Sequence, residues 1–396
     1  MSETRWTDAF LEPMRTVGDP LADQTIQAVI DSGGPQALEA VLHSLARNDA
    51  VVPEDLPLAV QDYCAQTARL PSWADPTVIV KGQEIFDRYG AEITAILLCA
   101  SLPSCYALAK GVHVLLLSRQ LSEYVDRRIN ETARFMFDVM MPGSLVDNGL
   151  GVRATQNIRL LHATMRHIML SKPAWQADWG YPLNQEDMAF TLMTFSVVVL
   201  DGLRRLNIAL TPDEQAAYFH AWNVVGTILG VHPSLLPSDA EDGRALVDTI
   251  CRRQYGPSEA GTTVTTALIT FLQHIIPGTV FDGFVVANIR FLVGAEVSDM
   301  LDVPEPHWTR ALTPLLKRLR AFAGDPTDRP AILTTLIGTF RRDSSTLERR
   351  ELEIFNKMFG EFSVKLLQAL ELVERGGDRP TFHVPDALRA RWGLQP

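Results

Sequence analysis

Apolar residues recur at steps of three and four along almost the whole chain, and alternation with a period of two is nearly absent. The first pattern is typical of helices that bury one face, so we predict an all-α protein. No repeat or long linker divides the chain, which favours a single all-helical domain over residues 1–396. The helices predicted from this pattern include residues 22–32, 56–69, 76–89, 92–102, 121–140, 151–170 and 346–375.

Three capping boxes predict where later helices begin. In each box a Ser or Thr is followed three residues later by Glu, and each side chain caps a backbone N–H of the other residue. The boxes pair Thr211 with Glu214, Ser238 with Glu241, and Ser345 with Glu348.

The predicted helix of residues 151–170 places charged groups beside its buried face. Arg159, His162 and Arg166 are spaced by three and four residues, so their side chains share one stripe. Guanidinium groups in such a stripe are unfavourable unless an anion meets them. One explanation is that Asp and Glu residues of other helices pair with the arginines, and that His162 is a hydrogen-bonded core residue. The other is a haem, whose iron binds imidazole and whose propionates bind cations.

The preceding helix, residues 121–140, carries further polar groups. Arg128 and Thr132 lie one turn apart within its buried stripe, and Glu131 lies at the edge. Beside a haem, these groups are candidates to line the open side of the iron, where bound oxygen needs donors. The alternative is that Arg128 pairs with a neighbouring acid and that the Thr132 hydroxyl bonds to its own backbone.

The sequence RLLHATMR, which contains Arg159, His162 and Arg166, resembles the Arg-x-x-His-x-x-x-Arg segment of the latex-clearing proteins. These are the haem b rubber oxygenases, and the wider oxygenase family shares the segment. Residues 179–195, 210–231 and 291–304 are similar to further blocks of that family. The resemblance implies a globin-like helical core that binds haem b, with His162 as the iron ligand and both arginines as cofactor-binding residues. It also implies an oxygenase that uses O2 to cleave a C=C bond of an apolar, isoprenoid-like substrate.

Two positions depart from the family pattern. The family's distal helix carries Arg-x-x-Lys-Thr, and this chain matches the Arg and the Thr through Arg128 and Thr132. The lysine, which caps the iron in the closed form of the rubber enzymes, is replaced by Glu131. The family's catalytic glutamate aligns without gaps on Val112, beside His113. We therefore predict that Arg128 and Thr132 orient the oxygen, and that Glu131 or His113 exchanges protons.

This assignment also predicts how the chain is organised. We expect residues 91–305 to form the haem-binding core. Peripheral N-terminal helices would occupy residues 1–90, and C-terminal helices would occupy residues 306–396.

Composition narrows the class of protein. The net charge of −11 disfavours nucleic acid as a partner, because phosphate binding needs a basic face. The four cysteines are scattered, without the CxxC or CxxCH motifs of zinc sites and covalent haem. The N-terminus shows no apolar signal segment, and the apolar residues 93–109 are too short and interrupted for a membrane span. We expect a cytoplasmic protein whose partners are O2 and an apolar small molecule.

Two other functions agree with these residues. A haem protein could sense or carry a gas without turnover, and oxygen consumption with an unsaturated substrate separates that function from an oxygenase. A helical interaction protein without a cofactor could hold the Arg-His-Arg stripe as an ion-paired core. A Soret absorption band in the purified protein would exclude this last function.

Overall fold

A computed structural model of the chain describes residues 5–45, 56–118, 125–276, 279–305, 349–372, 384, 386–392 and 394. Within these ranges the regular structure is helical and no β-strand occurs, which confirms the predicted all-α class. The first helices are α1 (Asp8–Leu11), a 3₁₀ turn (Glu12–Thr16), α2 (Pro20–Leu45), α3 (Leu58–Gln66), α4 (Pro76–Ile96), a π turn (Leu97–Ser101), α5 (Leu102–Tyr106), α6 (His113–Leu117), α7 (Val125–Met140) and α8 (Leu150–Leu170). After a 3₁₀ turn (Ala177–Trp179) follow α9 (Gln185–Phe195), α10 (Val197–Arg205), α11 (Pro212–Ile228), a 3₁₀ turn (Pro233–Leu235), α12 (Ala240–Gln254), α13 (Glu259–Ile275), α14 (Thr279–Val293), α15 (Ala295–Met300), α16 (Arg349–Leu372) and α17 (Asp386–Arg391).

One large apolar core joins helices from the N-terminal, central and C-terminal parts of the chain. Its members include Trp6, Phe86, Trp222 and Phe362. α4 lies along α11 and also contacts α16, so the centre of the chain is packed between segments far apart in sequence. A second, smaller core lies between α2, α3 and α8. The division into residues 1–90, 91–305 and 306–396 stays a prediction, and Trp6 and Phe86 show that the first of these segments shares the main core.

The helix starts test the three capping boxes. Thr211 caps α11: its hydroxyl accepts from the Glu214 N–H at 3.3 Å, and the Glu214 carboxylate accepts from the Thr211 N–H at 2.8 Å. At α12 the prediction was wrong by one residue. Asp239 is the cap, and its carboxylate accepts from the N–H groups of Glu241 and Asp242, both at 2.9 Å. The third predicted box, Ser345 with Glu348, lies outside the described residues.

The breaks in the N-terminal helices lie where the sequence predicts them. The helix predicted over residues 22–32 is interrupted within α2 by Gly34, whose φ of 66° and ψ of −158° are not helical, and a second helical stretch follows it. α4 likewise joins two helical stretches across a kink at Tyr89, which agrees with the predicted break between residues 76–89 and 92–102. The second stretch continues past Ile96 into the π turn Leu97–Ser101 and α5. The predicted helix 151–170 agrees with α8, and helix 121–140 agrees with α7 from Val125 onward. None of the described helices is both long enough and apolar enough to cross a membrane.

Candidate functional site

The site is built on one face of α8. Successive residues of an α-helix are rotated by about 100°, so Ile158, Leu161 and Met165 lie within about 100° of His162. All four residues are half-buried. On the far side of the helix, Leu160 is fully buried and belongs to the core that α8 shares with α2 and α3. One face of α8 is therefore packed against other helices, and the face around His162 is more open.

His162 occupies an enclosed position on this open face. The residue is half-buried, and its ring atom Nδ1 is buried without a hydrogen-bond partner among the described residues. Burial lowers the pKa of the imidazole to about 3, and the positive charges of Arg166 and Arg128 lower it further. Desolvation disfavours the charged form of an imidazole. His162 is thus a neutral imidazole.

The two arginines of the stripe meet carboxylates from α2 and the turn before it. Arg159 makes a two-point contact with Asp19, with Nε–Oδ2 at 2.5 Å and Nη2–Oδ1 at 2.8 Å. Arg166 Nε donates to Asp23 Oδ1 at 2.7 Å, and its Nη2 is buried without a partner among the described residues. These pairs agree with the alternative that Asp residues of other segments compensate the positive charges of the two arginines. The predicted contact of Arg159 and Arg166 with a cofactor stays a prediction.

Arg128, on α7, lies within electrostatic range of His162. Its half-buried guanidinium forms no ion pair with the described residues, although its charge acts on the pKa of His162. Glu131 lies on the same helix and is half-buried. The Thr132 hydroxyl donates to the Arg128 carbonyl oxygen at 3.0 Å. This bond agrees with the alternative that the Thr132 hydroxyl bonds to its own helix backbone. α7 therefore contributes a cation that has no counter-ion among the described residues and whose charge acts on His162.

Cys105 and Tyr106, which the sequence did not single out, lie near Arg128. Burial raises the pKa of the half-buried Cys105 thiol to about 11, and burial also raises the pKa of Tyr106. The charge of Arg128 opposes both shifts, so both side chains lie within its electrostatic range. Neither residue belongs to a sequence motif, and only the packing of α5 places them at the site.

His113, the remaining predicted catalytic residue, lies at the start of α6. Its ring stacks on the indole of Trp179, with centroids 3.6 Å apart and an interplanar angle of 6°. Burial lowers its pKa. The interactions described for His113 do not include His162 or Arg128.

A network of buried ion pairs between side chains was also not predicted from the sequence. Arg15 Nη1 lies 3.2 Å from Glu186 Oε2 and 3.1 Å from Asp187 Oδ1, and Arg253 Nε lies 2.8 Å from Glu186 Oε1. The adjacent acids of α9 were visible, but they resembled an ordinary acidic first turn. Among the described residues, no group of three or more His, Cys, Asp and Glu side chains is arranged to hold a metal ion.

Residues 88–324 match the family model described as "ER-bound oxygenase mpaB/B'/Rubber oxygenase, catalytic domain". This match includes α7, α8 and α9, which carry the site, and the chain therefore belongs to this oxygenase family. It is also similar to a rubber oxygenase of Streptomyces sp. (strain K30), with 26% identity over 310 residues that cover 78% of this chain and 74% of the relative.

Among solved structures, the chain resembles that of latex clearing protein in the closed state. The TM-score is 0.68 at 23% sequence identity, with 94% of this chain and 95% of the other chain covered. This similarity shows that the two proteins share a helical fold.

Proposed function

We propose that this chain is a haem b-dependent oxygenase that uses O2 to cleave a C=C bond of an apolar, isoprenoid-like substrate. The observation that carries the proposal is the environment of His162. A neutral imidazole, whose Nδ1 has no partner among the described residues, lies on the more open apolar face of α8 within electrostatic range of two cations. Neutral imidazole is the form that binds iron, and membership of an oxygenase family supports an oxidative reaction.

The donor set at this site fits haem b. His162 would hold the iron, since its ring is neutral and has no competing partner among the described residues. Two groups can meet propionates: the buried, unpaired Nη2 of Arg166, and the guanidinium of Arg128. Arg159 is already bound at two points by Asp19, so we propose that it stabilises the position of α8, which carries His162.

Haem iron, when bound, supplies the position that binds and activates O2. The side chains of this protein would orient the reactants around it. Arg128 can donate hydrogen bonds to an oxygen atom or a propionate, because no described carboxylate occupies its guanidinium. Thr132 already donates to the carbonyl of Arg128, so we propose that it holds the turn of α7 that carries the guanidinium. Glu131 and His113 stay predicted proton-exchange residues.

The substrate class follows from the side chains around His162. Ile158, Leu161 and Met165 are apolar and remain half-buried on its face, where they offer apolar surface to a ligand. The rubber oxygenase relative is named for a polymer of unsaturated isoprene units. An unsaturated hydrocarbon of the isoprenoid type therefore suits both the surface and the family.

The test is oxygen uptake by purified, haem-loaded protein with short isoprenoids and with a polyisoprene emulsion, followed by analysis of carbonyl products. We expect uptake that depends on the substrate and yields products cleaved at the double bond. Haem-loaded protein that binds O2 without consuming it in the presence of either substrate would instead indicate a gas sensor or carrier. Protein without a Soret band after expression with ample haem would indicate the cofactor-free alternative.

A further inference from the structure

An aromatic cluster joins three segments that are distant in sequence. It consists of Phe86 on α4, Phe137 on α7 and Trp392, the residue after α17. The ring centroids lie 5.1 Å apart for Phe86 and Phe137, and those of Trp392 lie 5.7 Å from Phe86 and 5.8 Å from Phe137. Each ring contacts both of the others, so Trp392, which is only 7% exposed, bridges α4 and α7.

The backbone of α4 is shaped to receive the indole of Trp392. A methyl group added at Gly90 would lie 2.2 Å from Cζ2 of that ring, so glycine is needed for the ring to lie where it does. Gly90 directly follows the kink of α4 at Tyr89. The indole N–H donates to the Asp87 carbonyl oxygen at 2.9 Å. Trp392 is therefore held against α4 by both shape and a hydrogen bond.

The helix that precedes Trp392 is itself anchored to the rest of the molecule. Arg389 of α17 lies 2.5 Å from the Glu371 carboxylate of α16, and Arg391 pairs with the Asp87 carboxylate of α4. These contacts fix α17 against both helices. The position of the Trp392 ring beside α7 is therefore set by α4 and α16 together.

The aromatic cluster contacts α7 on the side opposite Arg128. At about 100° per residue, Phe137 lies about 180° around the helix from Arg128 and about 140° from Thr132. Phe135 lies within about 20° of Arg128 and contacts Phe195 of α9, with ring centroids 6.4 Å apart. α7 also packs along α8, which carries the candidate iron ligand. α7 is therefore held by α9 on the face of Arg128 and by the aromatic cluster on the opposite face.

We propose that Trp392 is a positioning residue of the oxygenase. Through Phe137 it holds α7 from behind, and it thereby fixes where Arg128 lies relative to α8. A ring packed between two helices has this effect because protein interiors are close-packed, so that a helix can shift only where space is opened. The effect at Arg128 rests on the proposed haem-dependent function, whereas the effect on α7 does not.

The first test measures hydrogen–deuterium exchange of backbone amides in the full chain. The matched control for Trp392→Ala is Trp6→Ala, because Trp6 is also a buried, hydrogen-bonded tryptophan but contacts α12. We expect Trp392→Ala to speed exchange in residues 129–140 of α7 at least about tenfold relative to α12, and Trp6→Ala to show the reverse. If Trp392→Ala does not fold, Trp392→Leu takes its place with the same expectation. Equal effects of the two tryptophan variants on α7 would overturn the proposal.

Gly90→Ala tests the same contact without changing Trp392. Within a helix Ala is more favourable than Gly, so the change should raise the midpoint of urea denaturation if no ring meets Gly90. We expect a lower midpoint and faster exchange in α7, because the added methyl group displaces the indole. When Trp392→Leu is already present, adding Gly90→Ala should cause no further loss, since the smaller side chain leaves room for the methyl group. A raised midpoint in Gly90→Ala alone would overturn the proposal.

A spectroscopic readout tests the consequence at the haem site. In haem-loaded protein, the C–O stretching frequency of bound carbon monoxide responds to hydrogen-bond donors and positive charge beside the ligand. We expect Arg128→Ala and Trp392→Ala to shift this frequency in the same direction. Trp392→Phe, which keeps a ring between α4 and α7, should restore the wild-type frequency, and Trp6→Ala should leave it unchanged. A shift in Arg128→Ala without one in Trp392→Ala would overturn the positioning role.

The outcomes separate this inference from the function on which it rests. Wild-type protein that binds no haem would overturn the proposed function, and an unchanged frequency in Arg128→Ala would overturn the proposed role of Arg128. In either case the exchange experiments still decide whether Trp392 holds α7.

Discussion

At the scale of single residues, the buried Arg159–Asp19 pair predicts a measurable change in the free energy of unfolding. Asp19 is only 3% exposed, so removal of its partner leaves a buried charge without compensation. We expect Arg159→Ala to lower the free energy of unfolding by about 3–5 kcal/mol in cofactor-free protein. Urea denaturation followed by circular dichroism measures this change.

Arg204→Ala is the matched control, because Arg204 pairs with Asp201 at the surface and is 69% exposed. A surface pair of this kind contributes at most about 1 kcal/mol. If both variants lose equally little stability, the Arg159–Asp19 pair is not the buried contact that the structure shows.

The sequence predicted part of this arrangement. The spacing of Arg159, His162 and Arg166 placed them on one stripe of α8, and it also raised the alternative of compensating acids. The identity of those acids was out of reach, because Asp19 and Asp23 lie about 140 residues away in sequence. Local periodicity determines which face a side chain occupies, but only tertiary packing determines what meets it.

At the scale of elements, the capping box of α11 shows a local rule that the structure confirms. Thr211 and Glu214 each satisfy a backbone N–H of the other residue. We expect Thr211→Ala to destabilise the protein by about 1 kcal/mol, since the N–H of Glu214 loses its acceptor. Thermal or urea unfolding measures this loss, and Thr211→Ser, which retains the hydroxyl, is the control.

The stability that this capping box contributes depends on pH. The backbone N–H of Thr211, followed by Arg88, lowers the pKa of Glu214 below its ordinary value of 4.5. Its contribution to stability is therefore present above about pH 4.5 and lost as pH falls through the lower, folded-state pKa. We expect the stability difference between wild type and Glu214→Gln to be largest near neutral pH and to shrink in acid. A difference that stays constant down to pH 3 would contradict this assignment.

Element boundaries were predicted less well where tertiary contacts override local signals. The turn Leu97–Ser101 adopts a π helix, and the Ser101 hydroxyl donates to the Thr194 carbonyl of α9 at 2.7 Å. No residue spacing in the sequence predicts the contact between Ser101 and Thr194, so the pattern predicted an ordinary apolar helix for this region. At α12, Ser238 and Asp239 are both good cap residues, and pattern alone could not choose between them.

At the scale of the whole molecule, the N-terminal segment is part of the main core. Trp6 is 1% exposed, and its indole N–H donates to Asp242 Oδ1 at 2.7 Å. We expect Trp6→Ala to lower the free energy of unfolding by about 3–5 kcal/mol, as for other buried aromatic side chains. Trp73, which is 47% exposed, is the control, and Trp73→Ala should have a much smaller effect in the same denaturation experiment. Similar losses in the two variants would show that the N-terminal segment is peripheral.

The helical class and the family could be predicted without these tertiary contacts, because helix periodicity and the RLLHATMR segment are both local features of the sequence. The burial of Trp6 and the ion network of Arg15 depend on contacts between the N-terminal segment and α9 or α12, which are distant in sequence.

The central claim is that His162 holds haem, and the haem content of two variants tests it most directly. His162→Ala removes the proposed iron ligand, while His167→Ala changes an exposed histidine on the other side of the same helix. We expect wild type and His167→Ala to bind equal amounts of haem b by the pyridine haemochrome assay, with a Soret band in each. His162→Ala should lose most of its haem or show a displaced band while its helix content is unchanged. Full haem occupancy with an unchanged spectrum in His162→Ala would contradict the account.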